Sequence, residues 1–324
     1  MKNDSMNSGE RIAVIVPAFN AERTLRRAVD SLVRQTYKNL EVWVVDDGST
    51  DCTPLIADEL MRENANVHVI HQKNSGPYMA RIAALRDVKC GWFGFCDADD
   101  YCEPNMYELM YDAAISHAVP IVCCDICGRG HAGGDEVFRG REEMFKKVWF
   151  LRSASLCDKL FRNVYDFNSF RGETQSASED LLLNLQLQTH LGKDVGICFL
   201  HNELYHYEGA NSSVQFNDKK VKCFDQIIFM VKSFAHEWGM LKDMTEFDRW
   251  VGRCALRRLF AAAYQHNLSF DEKANFVKKL FEIEDVKRTH WILNMINVRI
   301  LTLALILMWN MHMLLKKCGL KIGF

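Results

Sequence analysis

Over its first hundred residues the chain alternates short apolar runs with amphipathic stretches, and no other feature narrows its fold as far. Residues 11–17 form a continuous β-branched run, the pattern of a strand buried on both faces of a parallel sheet. Residues 21–35 place Leu25, Ala28, Val29, Leu32 and Val33 on one side of a helix and Arg23, Arg26, Arg27, Asp30 and Arg34 on the other. A second buried strand is expected at 40–45, closed by the turn-forming run Asp46-Asp47-Gly48-Ser49-Thr50-Asp51. A helix at 54–63, a strand at 67–71, a loop at 72–77, a helix at 78–88 and a strand at 92–96 continue the series. This β-α-β-α-β-α-β order predicts a mostly parallel sheet with helices on both faces.

Beyond Pro104 the alternation loosens. A helix is expected at 105–117, a strand at 119–126, a Gly-rich loop at 129–135 without phosphate-binding spacing, and helices at 141–150 and 179–191. From 218 onward helices dominate, at 219–236, 247–266, 270–283 and from 285. The expectation is one α/β domain over residues 10–215 and a helical extension over 216–324. With 48% hydrophobic and 25% charged residues, 5 Pro and 18 Gly, the composition excludes disordered and collagen-like chains. A formal net charge of -2 argues against nucleic acid as the main partner.

The first ten residues are polar and the first apolar run is too short for a secretory signal, so a cytoplasmic location with reduced thiols is expected. Among the 12 cysteines, only Cys123, Cys124 and Cys127, followed by His131, resemble a metal site. They lie in an apolar run with no second pair nearby, which favours a buried strand over a structural zinc.

Ligands of such sheets bind beyond the carboxyl ends of the strands. Here those ends carry Pro17-Ala18-Phe19-Asn20, Asp46-Asp47 and Asp97-Ala98-Asp99-Asp100. Carboxylates crowded at a strand end repel one another and are costly to desolvate. A hard divalent ion held with substrate phosphates would compensate them; a solvated acidic turn is the alternative. Asp47 could accept hydrogen bonds from a base or a ribose, or simply cap a turn. Arg81 could face a diphosphate, or lie on the surface at a helix start.

Taken in order, Ile12-Ala13-Val14-Ile15-Val16-Pro17-Ala18-Phe19-Asn20, Ser31-Leu32-Val33-Arg34-Gln35-Thr36-Tyr37, the strand before Asp46-Asp47-Gly48-Ser49-Thr50-Asp51, and Phe95-Cys96-Asp97-Ala98-Asp99-Asp100 resemble the GT-A fold family 2 glycosyltransferases. The resemblance extends more weakly over residues 155–215, through Asp158-Lys159-Leu160-Phe161, Ser178-Glu179-Asp180-Leu181-Leu182 and Leu204-Tyr205-His206-Tyr207, and does not cover the last third. It implies that Pro17 and Phe19 line the nucleotide base, that Asp47 accepts from it, and that Arg81 reaches the base or diphosphate. Asp97 would bind ribose beside Ala98, Asp99 would ligate Mg²⁺ or Mn²⁺ between the phosphates, and Asp180 would deprotonate the acceptor hydroxyl. The implied enzyme is a metal-dependent, inverting transferase. It would move sugar from a nucleotide donor, UDP-linked, to a glycan or lipid-linked acceptor in cell-surface polysaccharide synthesis.

Two departures stand out. The chain has Ala80-Arg81-Ile82-Ala83-Ala84 where family members often have Ala-Arg-Asn-x-Gly, and Glu208 where they often have an arginine. His206 reads either as a further metal ligand or as a packed or solvent-facing strand residue, and Lys159 either as an acceptor or diphosphate contact or as a stem lying on apolar neighbours. A catalytically inactive nucleotide-sugar-binding scaffold is the competing reading. A dinucleotide oxidoreductase is disfavoured, because no G-x-G-x-x-G follows the first strand. Finally, residues 291–315 are strongly apolar and are followed by Lys316, Lys317 and Lys321, but Asn294, Asn297, Arg299, Asn310 and His312 interrupt the run. A helix lying in the cytoplasmic membrane interface suits this pattern better than a span; packing on the catalytic domain is the alternative.

Overall fold

In the computed structural model a nine-stranded sheet runs in the order β3-β2-β1-β4-β8-β6-β9-β5, with β7 paired to β9. The structure describes residues 9–128, 133–140, 143, 155–170, 179–191 and 195–208, and in the last third 228–229, 231–233, 235–236, 239, 248, 251–252, 255, 269–283 and 286. The strands are β1 (Ile12–Ala18), β2 (Leu40–Asp46), β3 (Val67–His71), β4 (Trp92–Phe95), β5 (Tyr101–Cys102), β6 (Ile121–Ile126), β7 (Glu136–Arg139), β8 (Lys159–Arg162) and β9 (Gly196–His206). Among the described residues the helices with defined bounds are α1 (Leu25–Val33), α2 (Thr53–Glu63), α3 (Pro77–Asp87), α4 (Met106–Ser116), α5 (Glu179–His190) and α6 (Phe270–Glu282).

The expected βα alternation builds the first half of the sheet. β3, β2, β1 and β4 are parallel neighbours, with Ile12 opposite both Leu40 and Trp92. Their apolar runs are buried on both faces: Ile12, Val14, Val16, Val42, Val44, Phe93 and Phe95 have no exposure. Beyond β4 the sheet becomes mixed, because β8 runs antiparallel to both β4 and β6, while β6 and β9 are parallel. β5, β7 and β8 were not expected as strands, and β9 only at its His206 end. β8 is only four residues long, and its place is set by partners distant in sequence.

Helix α1 starts at Leu25 rather than at 21, because the preceding residues are tied to the β2 loop. The Ala21 N–H donates to Thr53 Oγ1 at 2.7 Å, and Glu22 N–H to Asp51 Oδ2 at 3.2 Å. The cysteine run is a buried strand. Every residue of β6 is buried, and the adjacent Cys123 and Cys124 face opposite sides of the sheet, with burial pushing both thiols up. His131 lies outside the described residues.

By its internal contacts the chain forms two units, Met1–Ser212 and Ser213–Phe324. In the second, α6 opens with a reciprocal capping box: the Glu272 N–H donates to Ser269 Oγ, and the Ser269 N–H to the Glu272 carboxylate. Ala274, Val277 and Leu280 form its buried stripe. The apolar segment 291–315 and the helices expected at 141–150, at 247–266 and from 285 lie outside the described residues, apart from isolated positions. Among the described residues no helix is long and apolar enough to cross a membrane.

Gly48 holds the loop after β2 with φ 73°, and a Cβ there would lie 2.7 Å from the backbone nitrogen of Asn74. A left-handed conformation and a backbone clash together put the cost of Gly48→Ala at roughly 2 kcal/mol or more. Urea denaturation should show that loss; an unchanged midpoint would contradict it.

Candidate active site

The order of the first four strands reverses at β1: β2 and β3 lie on one side, β4 on the other. A crevice opens at such a switch point beyond the carboxyl ends of β1 and β4. On the β1 side, the Asp47 N–H donates to Ala18 O at 2.8 Å, joining the ends of β1 and β2. Asn20, at φ 52°, donates its N–H to Ser49 Oγ at 3.0 Å and accepts at Oδ1 from the Thr50 N–H at 2.9 Å. These ties fix the loop around Phe19, whose ring is left 51% exposed, while Pro17 is half-buried below it. A large apolar ring held half in water on a rigid rim is suited to stacking on a planar ligand.

Asp46 and Asp47 are both buried, and they do different work. Asp46 accepts from the Ser49 N–H at 3.1 Å and meets His71 Nδ1 at 3.0 Å, while His71 Nε2 meets Asp58 at 3.1 Å. Two carboxylates around one imidazole hold the His71 pKa above its ordinary value, the Asp46 hydrogen bond contributing most. Asp47 accepts at Oδ1 from Gln72 Nε2 (2.7 Å) and the Ser75 N–H (2.8 Å), and at Oδ2 from the Gly76 N–H (2.8 Å). A carboxylate offers about four acceptor positions. Asp47 therefore shapes the loop ahead of α3 and keeps one acceptor position, on Oδ2, for a donor on a ligand.

Arg81 lies between the ends of β4 and α5. At 2% exposure it places Nη2 2.9 Å from Asp97 Oδ1 and Nη1 2.9 Å from Asp180 Oδ1, with Glu179 at 4.0 Å. Its Cζ stands 5.8 Å from the centre of the Phe95 ring. Burial alone would lower its pKa, but Asp180 and Asp97 outweigh that and hold it above the ordinary range. The Asp180 contact is close without the alignment of a hydrogen bond. Arg81 Nε and Nη1 and Asp180 Oδ1 consequently have no hydrogen-bond partner among the described residues. Packing of α3 on α5 sets this geometry, through the Tyr78 hydroxyl donating to Gln186 Oε1 at 2.6 Å. Burial pushes the Asp180 carboxyl up to about 6 against the opposing pull of Arg81. Its side chain still keeps 30% exposure, so with Oδ1 buried it is the second oxygen that reaches the crevice.

Beside this ion pair, oxygens of Asp97, Asp99 and Asp100 lie within 4.8 Å of one another. Asp100 is fully buried and has both oxygens occupied: Oδ2 accepts from the Tyr205 hydroxyl at 2.6 Å and Oδ1 from the Glu208 N–H at 2.8 Å. Burial nevertheless raises its pKa to about 6. The same Tyr205 oxygen accepts from the Asp97 N–H at 3.2 Å, so one buried hydroxyl ties both ends of the loop. Arg27 donates to the Asp99 carbonyl at 2.6 Å and pairs with Glu208. Asp99 is exposed, has no ion-pair partner among the described residues, and is raised by partial burial and by Asp97. Ala98 is buried between the acids. One exposed carboxylate and one spare oxygen of Asp97 fit a small divalent ion that takes its remaining ligands from phosphates and water.

Most of the sequence-derived residues thus converge. Phe19, Pro17 and Asp47 lie at the β1–β2 end; Arg81, Asp97, Ala98, Asp99 and Asp180 lie where β4 meets α5. His206 is not part of the carboxylate group. Its Nε2 meets Glu103 at 2.6 Å and Cys127 Sγ at 3.5 Å, and its ring stacks on Tyr101 at 4.2 Å. Arg81 is a buried brace rather than an exposed phosphate contact. Lys159 is buried and pairs with Asp158 at 2.7 Å. Sequence reasoning missed Asp100, Tyr205 and Arg27 as organisers. The third acid of the cluster and the tyrosine of Leu204-Tyr205-His206-Tyr207 were visible, but not their contact.

Residues 13–173 match the family model "Glycosyl transferase family 2". A stretch of 175 residues is 31% identical to "Glycosyltransferase GlyA" of Streptococcus pneumoniae serotype 4, covering 54% of this chain and 23% of that protein. The chain thus spans less than a quarter of that relative's length. Among solved structures, Staphylococcus aureus TarS residues 1–349 in complex with UDP-GlcNAc superposes with a TM-score of 0.63 at 20% identity, over 86% of this chain and 82% of that one. The mannosyltransferase PcManGT from Pyrobaculum calidifontis, in complex with GDP-Man and Mn²⁺, gives 0.50 at 16% identity, over 92% and 87%. These likenesses establish the GT-A fold.

Removing the Tyr205 hydroxyl leaves the buried Asp100 carboxylate short of a donor. Tyr205→Phe should therefore lower unfolding free energy by about 1–3 kcal/mol with the fold retained. Chemical denaturation with near-UV circular dichroism checks this, and wild-type stability would show that the bond contributes nothing.

Proposed function

We propose that this chain, which belongs to glycosyl transferase family 2 through residues 13–173, transfers a glycosyl group from a nucleotide-diphosphate sugar to a hydroxyl acceptor with inversion. The observation that carries the reading is the buried Arg81, which holds Asp97 and Asp180, 83 residues apart in sequence, at 2.9 Å each in one crevice. One carboxylate is thereby fixed beside the acidic cluster, and another keeps an oxygen free at the mouth.

In this mechanism the acceptor oxygen forms a bond to the anomeric carbon while the bond from that carbon to the diphosphate oxygen breaks. The nucleotide diphosphate leaves with the bonding pair, and the acceptor proton passes to the exposed oxygen of Asp180. A single displacement of this kind inverts the anomeric centre. Phe19 stacks on the base and Asp47 accepts from its imide N–H through the remaining Oδ2 position, which favours uracil. The UDP-GlcNAc complex of TarS agrees with this choice, and the GDP-Man complex of PcManGT marks the alternative. Asp99 and Asp97 would hold Mg²⁺ or Mn²⁺, which when bound offsets the charge of the departing diphosphate. Arg81 holds both carboxylates in place and opposes the rise that burial imposes on Asp180, without itself reaching solvent. A glycan or lipid-linked acceptor in surface polysaccharide synthesis suits this chemistry. The basic-flanked apolar segment 291–315 is the part we assign to a membrane surface.

Binding and turnover separate the roles. With Mn²⁺ and a panel of nucleotide sugars, Asp99→Ala should lose the metal-dependent thermal shift. Asp180→Asn should keep it while turnover falls by roughly 10²–10⁴-fold. No nucleotide-dependent shift in the wild type would refute the donor assignment. Unimpaired turnover in Asp180→Asn would refute the base.

The pH profile follows from the same carboxylate. Asp180 must be ionised to accept a proton, and its carboxyl titrates near about 6. Turnover should fall as pH drops through that value, with a slope of one, whereas a limb near the ordinary aspartate range would exclude a buried base.

A further inference from the structure

A second cluster of ligating side chains lies at the other end of the sheet. His117, directly after α4, Asp135, ahead of β7, and Cys198, in β9, bring one imidazole nitrogen, one carboxylate oxygen and one sulfur within 4.8 Å of one another. His117 Nε2 stands 3.8 Å from Asp135 Oδ2. Cys198 and Tyr205 share β9, seven residues apart, so the cluster is about 23 Å from the carboxylate loop along the strand. We propose that His117, Asp135 and Cys198 form a zinc site that pins the end of α4 and the start of β7 to β9.

The donor set suits this ion. Imidazole, carboxylate and thiolate are the ligands of borderline-soft Zn²⁺, whereas Mg²⁺ and Mn²⁺ favour all-oxygen sites. Tetrahedral zinc at ordinary bond lengths separates its donors by about 3.3–3.6 Å. The His117–Asp135 distance is already close to that. Cys198 is fixed within the sheet, where it pairs with Val122 and Val137, while His117 and Asp135 are partly exposed and can rotate inward. Water completes the fourth position.

Among the described residues these three side chains have no closer pairing than the His117–Asp135 contact at 3.8 Å. Cys198 is fully buried, and its thiol is pushed up to about 11 by burial and by the neighbouring Asp135. A neutral thiol against a carboxylate gains little; a divalent cation between them would ionise the sulfur and neutralise the acid. The end of α4 adds the negative pole of the helix. Ala118 follows His117 at φ 48°, a left-handed turn that a non-glycine residue adopts only when it is held there. Arg139 holds it, donating to the His117 and Ala118 carbonyls. The guanidinium thus takes the backbone oxygens, and the three side chains remain for a metal.

The full chain, dialysed against metal-free buffer and titrated with Zn²⁺, should bind one tight equivalent and show a raised melting temperature. Co²⁺ in its place should give sulfur-to-metal charge-transfer absorption. Cys198→Ala, a small apolar replacement at a buried position, should abolish the absorption and the tight equivalent, as should His117→Ala. Asp99→Ala should retain both, which separates this site from the acidic loop. Zinc retained at full stoichiometry by both Cys198→Ala and His117→Ala would overturn the proposal, as would the absence of a tight equivalent in the wild type.

Discussion

The site depends on one buried cation. Arg81 is almost wholly removed from water, and the desolvation of its guanidinium is offset mainly by the carboxylates of Asp97 and Asp180 at 2.9 Å each. The dependence is mutual. Without the cation, three acids at the end of β4 and two at the start of α5 would face one another across a poorly solvated crevice. Losing one partner of such a group typically costs about 3–5 kcal/mol, because a buried charge is left unpaired. The start of α5 helps, since Glu179 and Asp180 sit at the positive pole of that helix.

Around this brace side chains hold the loops together with backbone bonds such as that from the Asp47 N–H to Ala18 O. Asp47 fixes the loop before α3, Asn20 joins the β1 and β2 loops, and Tyr205 ties Asp97 to Asp100. Asp47 and Asn20 accept from backbone N–H groups of those loops, and the buried Tyr205 hydroxyl bridges the Asp97 N–H and the Asp100 carboxylate. The result is a rigid rim whose remaining open groups differ in kind: an exposed aromatic ring, one acceptor position on Asp47, Asp99, and one oxygen of Asp180. In the proposed reaction a base, a diphosphate with its metal and a hydroxyl nucleophile would use those groups in that order.

How much of this was legible follows from what decides each feature. The strands β1 to β4 were readable because strands buried on both faces must be continuous apolar runs, and the helices between them show a buried stripe. β8 is Lys159-Leu160-Phe161-Arg162, too short and too mixed to announce itself, and only its neighbours β4 and β6 make it a strand. Arg81 read as a diphosphate contact or a surface arginine, and its burial was not visible because the helix that buries it, α5, comes about a hundred residues later. The role of Tyr205 was hidden for the same reason: it exists only because β9 ends beside the loop after β4. His206 shows the converse, a residue type suited to metal whose position at Glu103 and Tyr101 gives it other partners. Local chemistry was readable, and contacts made by long-range topology were not.

The central claim is that Arg81 sets the ionisation of Asp180. Carboxyl-carbon NMR titration of aspartate-labelled protein, with the Asp180 resonance assigned through Asp180→Asn, measures it directly. The account predicts a midpoint near about 6 in the wild type. In a folded Arg81→Gln protein the midpoint should move upward. An Asp180 midpoint that stays where it was in Arg81→Gln, or moves down, would contradict it.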